Sequence, residues 1–263
     1  MREFWGSTFS RFMILICALL LFTQTALARV FDFEKESFSP YLNLRGGQTS
    51  MGTSPFAWHE VSTYGVREAK FIYGGEFGAR WRSSTLGVSL GVLVQKLDPV
   101  LGAQAFDANS ALLYTAETEA LSFGPTLQLD IQFAKKTSHM WWLFLGGGYQ
   151  FIKMQNSYQL TALGQTDFSL PAEVSETYRA SIPFASTGVG AEFLFSKTTT
   201  ISLQLGYHHS LSSAWTHGQN GSNFAGSYIE GSPVILQDGS EKNINWSYFF
   251  LQVGFQFYVE TLR

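Results

Sequence analysis

The fold is decided by Ala69-Lys-Phe-Ile-Tyr-Gly-Gly-Glu-Phe-Gly-Ala-Arg-Trp-Arg82, which turns around Ser83-Ser84 and continues as Leu86-Gly-Val-Ser-Leu-Gly-Val-Leu-Val-Gln95. A β-strand sends successive side chains to opposite faces. The first run therefore puts Phe71, Tyr73, Phe77 and Trp81 on one face and Lys70, Glu76, Arg80 and Arg82 on the other. The second puts Leu86, Val88, Leu90, Val92 and Val94 opposite Gly87, Ser89, Gly91, Leu93 and Gln95. Two alternating runs joined by a short turn read as a β-hairpin.

Similar alternation marks eight segments, near 38–47, 67–82, 85–96, 118–134, 140–153, 178–195, 199–211 and 243–259. Three connections are tiny: around Ser83-Ser84, Lys135–His139 and Ser196–Thr198. The other four run to roughly 18–30 residues and are rich in Gly, Ser, Asn and Ala. A meander with tight turns at one end and long loops at the other predicts an all-β fold, an eight-stranded antiparallel up-and-down transmembrane β-barrel. An even strand count brings the eighth strand beside the first and removes the sheet edge, which lipid could not satisfy. The three short turns are then periplasmic, as are both termini, and the four long loops are extracellular.

Alternation does not say which face is inside. A soluble lipocalin-like barrel would bury the apolar face. Three features favour the inverted arrangement. The polar faces are rich in Gly, Ser and Thr, as in 122–132, where Ser122, Gly124, Thr126, Gln128, Asp130 and Gln132 share a face. Aromatic residues gather at the short-turn end (Trp81, Phe133, Trp141, Trp142, Phe195, Phe257 and Tyr258), as membrane girdles require. Several segments also reach the length that crosses a bilayer as a tilted strand. Two segments change parity. In 178–195 the apolar set runs Tyr178, Ala180, Ile182, Phe184 and then Thr187, Val189, Ala191, Phe193, which predicts a bulge beside Pro183. In 243–259 the change falls near Tyr248–Phe250. The fifth segment is apolar on both faces around Trp141–Leu145, so its register stays open.

The first 28 residues read as a cleaved signal peptide: Arg2 and Arg11, the apolar run Phe12–Phe22, and Ala26-Leu27-Ala28 before Arg29. The lone Cys17 falls inside this segment, so the mature chain, residues 29–263, has no cysteine for disulfides, thiol chemistry or Cys-based metal sites. Removing residues 1–28 takes away two arginines and one glutamate and leaves a net charge of −4. No basic patch suggests nucleic acid. Aromatics make up 16% and charged residues 14%, well below the usual quarter for a soluble domain.

At this level the chain resembles the small eight-stranded outer-membrane barrels of Gram-negative bacteria, the OmpA/OmpX/OmpW-like group, over 37–259. The likeness rests on architecture. The final run Ser247–Val259, with Gln252, Gly254 and Phe257, is similar to the closing strand read by the barrel-assembly machinery; the terminal phenylalanine that is the family norm is replaced by Glu260–Arg263. The resemblance implies outer-membrane location, outer-membrane lipids and lipopolysaccharide as surroundings, and the assembly machinery as a partner during biogenesis.

The polar face carries Arg45, Glu76, Arg80, Asp130 and Glu192 with Gln128, Gln132 and Gln204. Buried charges must be paired. A lumen network of these groups is expected to fill the barrel, because eight strands leave room only for side chains; a polar conduit or gate is the other reading. His208-His209-Ser210 resembles the His-x-Ser pair of an outer-membrane lipid A 3-O-deacylase. His208 and Ser210 fit that spacing, but Leu211 replaces the family asparagine and the next acid is Glu230. A nucleophile needs a base oriented by a third group, so the pair is a remote catalytic candidate. His208, His209 and His217 lack a carboxylate at metal-ligand spacing. No cofactor or metal is expected. The second long connection is apolar at 100–106 and 111–114, and the first contains Phe56, Trp58 and Tyr64. Such loops pack on one another or on the outer leaflet, or offer an apolar ligand or an extracellular partner a site. The sequence thus points to a non-enzymatic barrel with a structural or surface-interaction role. A channel for small or hydrophobic molecules is the second reading and lipid A deacylation a distant third.

Overall fold

The computed structural model describes residues 33, 37–49, 71–236 and 239–258. Residues 1–28, and the connection holding Phe56, Trp58 and Tyr64, lie outside these. Eight long strands form the architecture: β1 (Phe38–Thr49), β2 (Phe71–Arg82), β3 (Leu86–Phe106), β4 (Leu112–Lys135), β5 (His139–Leu160), β6 (Glu173–Leu194), β7 (Thr199–Ser210) and β8 (Tyr248–Phe257). Each pairs antiparallel with its chain neighbours. β8 then pairs with β1 from Tyr41↔Gln256 to Thr49↔Tyr248, which closes the ring.

The ring is inverted relative to a soluble barrel. Glu76 is 4% exposed and its neighbour Phe77 is 45% exposed. The same holds around the circumference. Leu44, Leu90, Leu127, Leu143, Val189, Leu205 and Leu251 face outward, while Arg45, Ser89, Gln128, Glu192, Gln204 and Gln252 are buried. On β4 the apolar exterior runs from Leu121 to Phe133. At about 3.3 Å per residue and a tilt near 40°, that span rises roughly 30 Å, the thickness of a hydrocarbon core. A continuous outer band of this kind would be insoluble in water and is satisfied by lipid.

Four strands outrun their sequence limits. β3 and β4 extend as a hairpin arm to Phe106 and Leu112, and β5 and β6 as another to Leu160 and Glu173. The connections left are 107–111 and 161–172, so the second expected loop is mostly strand and the third is half strand. Register shifts between Leu97 and Ala103, around Pro99, hid the β3 extension from a period-two reading. In the first turn Asp107 caps itself, accepting from the backbone N–H of Asn109 and Ala111. In the second, the helix α1 (Ala162–Phe168) begins at Thr161, whose hydroxyl accepts from Gly164 N–H at 3.2 Å.

The bulge expected beside Pro183 is absent, and the parity change near Tyr248–Phe250 involves no register break. β6 pairs with β5 in unbroken register from Phe193 to Glu173, straight past Pro183. β8 pairs with β7 without a break from Tyr248 to Phe257. The apolar sets Tyr178–Phe184 and Tyr248/Phe250 face inward because the interior changes character along its axis. Trp142 and Tyr258, expected in the aromatic girdle, also point inward, at 0% and 5% exposure, whereas Trp81, Phe133, Trp141 and Phe195 face outward.

Candidate functional site

The interior has two storeys. Beside the short turns it is polar. Arg82 of β2 binds Glu192 of β6 and Tyr258, and reaches Gln256 at 3.0 Å. Glu192 also accepts from Tyr258 at 2.7 Å and from Thr200. Arg80 lies 3.3 Å from Asp130, donates to Ser89 at 2.6 Å and stands over the Trp142 ring at 5.2 Å. Gln128 donates to the other oxygen of Asp130 at 2.7 Å. Higher up, Arg45 donates to Gln252 at 2.7 Å and Glu76 at 3.3 Å. Glu76 in turn accepts from Tyr41 at 2.9 Å and Thr126 at 2.7 Å. Three arginines thus meet three carboxylates, and hydroxyl or amide donors also reach each carboxylate, while Asp130 Oδ2, Arg80 Nη1 and Arg82 Nε make no hydrogen bond. Arg82 and Tyr258 join the five charged residues singled out from sequence.

In a ring of eight, β2 and β6 stand opposite each other. The Arg82–Glu192 bridge therefore crosses the whole bore. Glycines allow the bulky fill: a Cβ at Gly190 would strike the Trp142 ring, and one at Gly206 would come within 2.8 Å of Phe144 and Phe250.

Above this level the interior turns apolar. Leu93, Leu97, Ala120, Ile152, Met154, Tyr178 and Ile182 line the bore and its extended arms, and Trp215, Val234, Ile244 and Trp246 fold in from the segment between β7 and β8. That segment is stitched to β6 by Tyr178↔His217 and Arg179↔Thr216. Two polar clusters are embedded there: Gln150 donates to Gln95 at 2.7 Å and Gln95 to Tyr248, and Glu176 accepts from Tyr158 at 2.9 Å, Tyr178 and Asn223. Burial raises the Glu176 carboxyl, and the same burial, opposed by that carboxylate, brings Lys242 down to about 8. Sequence reasoning left Glu176 and Asn223 in loops. The trace that could have found them is the Glu176/Tyr178 pair, two apart and so on one strand face.

His208 and Ser210 share the inner face of β7 but do not meet. The His208 ring is stacked between Phe184 and Tyr248, with centroids 4.2 and 4.6 Å away. Ser210 Oγ accepts from Trp246 N–H at 2.6 Å and lies 3.4 Å from Ser247 Oγ. His209 faces outward beside Tyr207, and His217 stacks on Tyr228 at 3.8 Å, so the three histidines do not converge. Among the described residues no group of three metal-ligating side chains gathers.

Lipid-facing apolar residues outside, paired charges inside and a closed antiparallel ring decide the class. The chain is a small eight-stranded barrel of the outer-membrane type. No family model matches it, and no curated protein matches it in sequence. Solved structures of the same architecture do. OprG of Pseudomonas aeruginosa aligns at 10% identity and TM-score 0.48 over 87% of this chain and 98% of that one. A major outer membrane protein from Thermus thermophilus aligns at 10% and 0.43 over 84% and 99%. Ail of Yersinia pestis aligns at 11% and 0.39 over 85% and 99%. Likeness at this level carries no role across to the barrel.

Proposed function

We propose that the protein is an exported, non-enzymatic outer-membrane barrel whose lumen is closed and whose work is done from its outside surfaces. On this reading residues 1–28 direct export and are removed, β8 presents the closing signal to the barrel-assembly machinery, and the short turns face the periplasm. The arms of β3–β6 and the segment between β7 and β8 then face the exterior, in contact with lipopolysaccharide and any extracellular partner. The observation that carries it is the Arg82–Glu192 bridge across the bore, with Trp142, Arg80 and Tyr258 packed around it. Side chains that fill an eight-stranded interior leave no aqueous path.

A deacylase site at His208 and Ser210 is disfavoured by geometry: the ring is clamped between two aromatics inside the barrel and the serine serves backbone and Ser247. Planar-bilayer recording of the refolded protein tests the closed lumen. The expected result is a quiet bilayer. Stepwise ionic conductance scaling with the amount of folded protein would favour the channel reading instead.

A further inference from the structure

Directly cross-paired residues on neighbouring strands lie in one row around a barrel. Tyr73 pairs with Lys96, Lys96 with Leu121, Leu121 with Lys153, and Lys153 with Arg179. All five face outward, so three cations fall in one cross-strand row on β3, β5 and β6. Along β3, β4 and β5 the row marks the upper limit of the apolar band. One exterior step toward the short turns stand Val94, Phe123 and Phe151, all exposed, and one step away stand Asp98, Glu119 and Gln155.

Between Lys96 and Lys153, over Leu121, lies a shallow depression of about 490 Å³ lined also by Glu119, Ala120 and Gln155. The two lysines flank one intervening strand, which separates their backbones by roughly 10 Å. Lys96 has a loose partner in Glu119 at 3.9 Å, and Arg179 is engaged by Glu230 at 2.8 Å. Among the described residues no carboxylate lies in ion-pair range of Lys153.

We infer that this row binds the phosphates of a phosphorylated glycolipid in the outer leaflet, its acyl chains lying down the Leu121, Phe123 and Phe151 surface. The inference rests on the transmembrane reading. Its warrant is continuity. Acyl chains held against the apolar band place their headgroup phosphates at the end of that band, and there the surface changes from Val94 to Lys96 on β3 and from Phe151 to Lys153 on β5. Ammonium groups on flexible stems suit a phosphate whose position varies. A basic site at the lipid boundary also gains from the electrostatics of an anionic leaflet.

The test uses the refolded full barrel in zwitterionic detergent, with native mass spectrometry counting bound lipid. The probes are diphosphorylated lipid A and the same lipid stripped of phosphate. The unaltered protein is expected to retain the phosphorylated form, and K96Q/K153Q to bind it about tenfold more weakly or worse. A K136Q control at a short turn should leave binding unchanged. Equal retention by K96Q/K153Q, equal retention of the phosphate-free lipid, or an equal loss in K136Q would each overturn the inference. Heat-modifiable gel mobility separates the two levels. If the unaltered protein shows none, the barrel reading falls and the inference with it; if all variants show it and bind alike, only the inference falls.

Discussion

Glu192→Gln is the most exacting test of the filled lumen. The substitution keeps the shape and removes the charge, leaving the buried Arg82 guanidinium opposite a neutral amide. Glu192 is fully buried and receives Arg82, Tyr258 and Thr200. Charge-assisted hydrogen bonds contribute about 1.5–3 kcal/mol each, and breaking one side of a buried ion pair costs about 3–5 kcal/mol. Arg82 keeps Gln256 as an acceptor at 3.0 Å, which favours the lower end. A loss of about 3 kcal/mol is expected in urea unfolding from phosphatidylcholine vesicles, followed by tryptophan fluorescence and gel mobility. The companion variant Arg82→Met/Glu192→Leu removes both charges. It should recover much of that loss, because apolar replacement of a buried pair is often neutral, although Tyr258 and Thr200 lose their acceptor. The reasoning is refuted if Glu192→Gln shifts stability by less than about 0.5 kcal/mol, or if the single-site losses simply add in the double variant.

Three further outcomes follow from the same geometry. Leu127 faces outward at the middle of the β4 apolar span, so Leu127→Arg should destabilise the barrel in vesicles by about 2–4 kcal/mol; a change near zero, as on a water-facing surface, would sink the transmembrane reading. Gly190→Ala should cost about 1–3 kcal/mol through collision with Trp142, whereas Gly46→Ala, which meets nothing within 4 Å, should be nearly silent; equal effects in the same unfolding assay would contradict the packing. Lys242 falls from 10.5 to about 8 on folding, so between those values the unfolded segment holds more protons than the folded one. Closure of the segment between β7 and β8 should therefore strengthen as pH rises through that window, by up to about 3 kcal/mol, seen as greater hydrogen-exchange protection at Trp215 and Trp246 after correction for the intrinsic rate. Flat protection, or protection that falls, would contradict the burial of Lys242.

The lower storey was legible because one physical rule governs it. Where lipid lies outside and paired charge inside, polarity tracks the two strand faces, and Phe71–Arg82, Leu86–Gln95 and Leu121–Phe133 follow it apart from the inward Ile72 and Leu93. The upper storey was not, because its interior is apolar. Tyr178, Ile182 and Phe184 on β6 point the same way as Glu192, yet their polarity is that of the opposite face. A parity rule tuned to the lower storey reads this change of environment as a change of register, hence the bulge expected beside Pro183 and the parity change near Tyr248–Phe250. Trp142 and Tyr258 escaped for a related reason. Aromatic residues near a strand end fit a girdle or a plug equally well, and only Gly190, which clears space for the Trp142 ring, distinguishes them. The charged residues Arg45, Glu76, Arg80, Asp130 and Glu192 could be placed on one face from sequence. Which acid meets which arginine depends on where each strand stands in the ring and how far each side chain reaches across it.

The two storeys also bear on where selection for function can act. Opening a path through the bore would mean breaking the Arg82–Glu192 bridge and dislodging Trp142, and then withdrawing Trp215, Val234, Ile244 and Trp246 from a core built by four strands. Each step exposes buried groups without a replacement partner. The exterior is free of that constraint. On β3–β6 the strands project beyond the apolar band, so their outer faces pass through the headgroup level into the space above without interrupting the hydrogen-bond ladder. A residue such as Lys153 can change there at little cost to folding. Variation that tunes this protein to its surroundings is therefore expected on the outward face of the arms, and constancy on the inward face of the same strands.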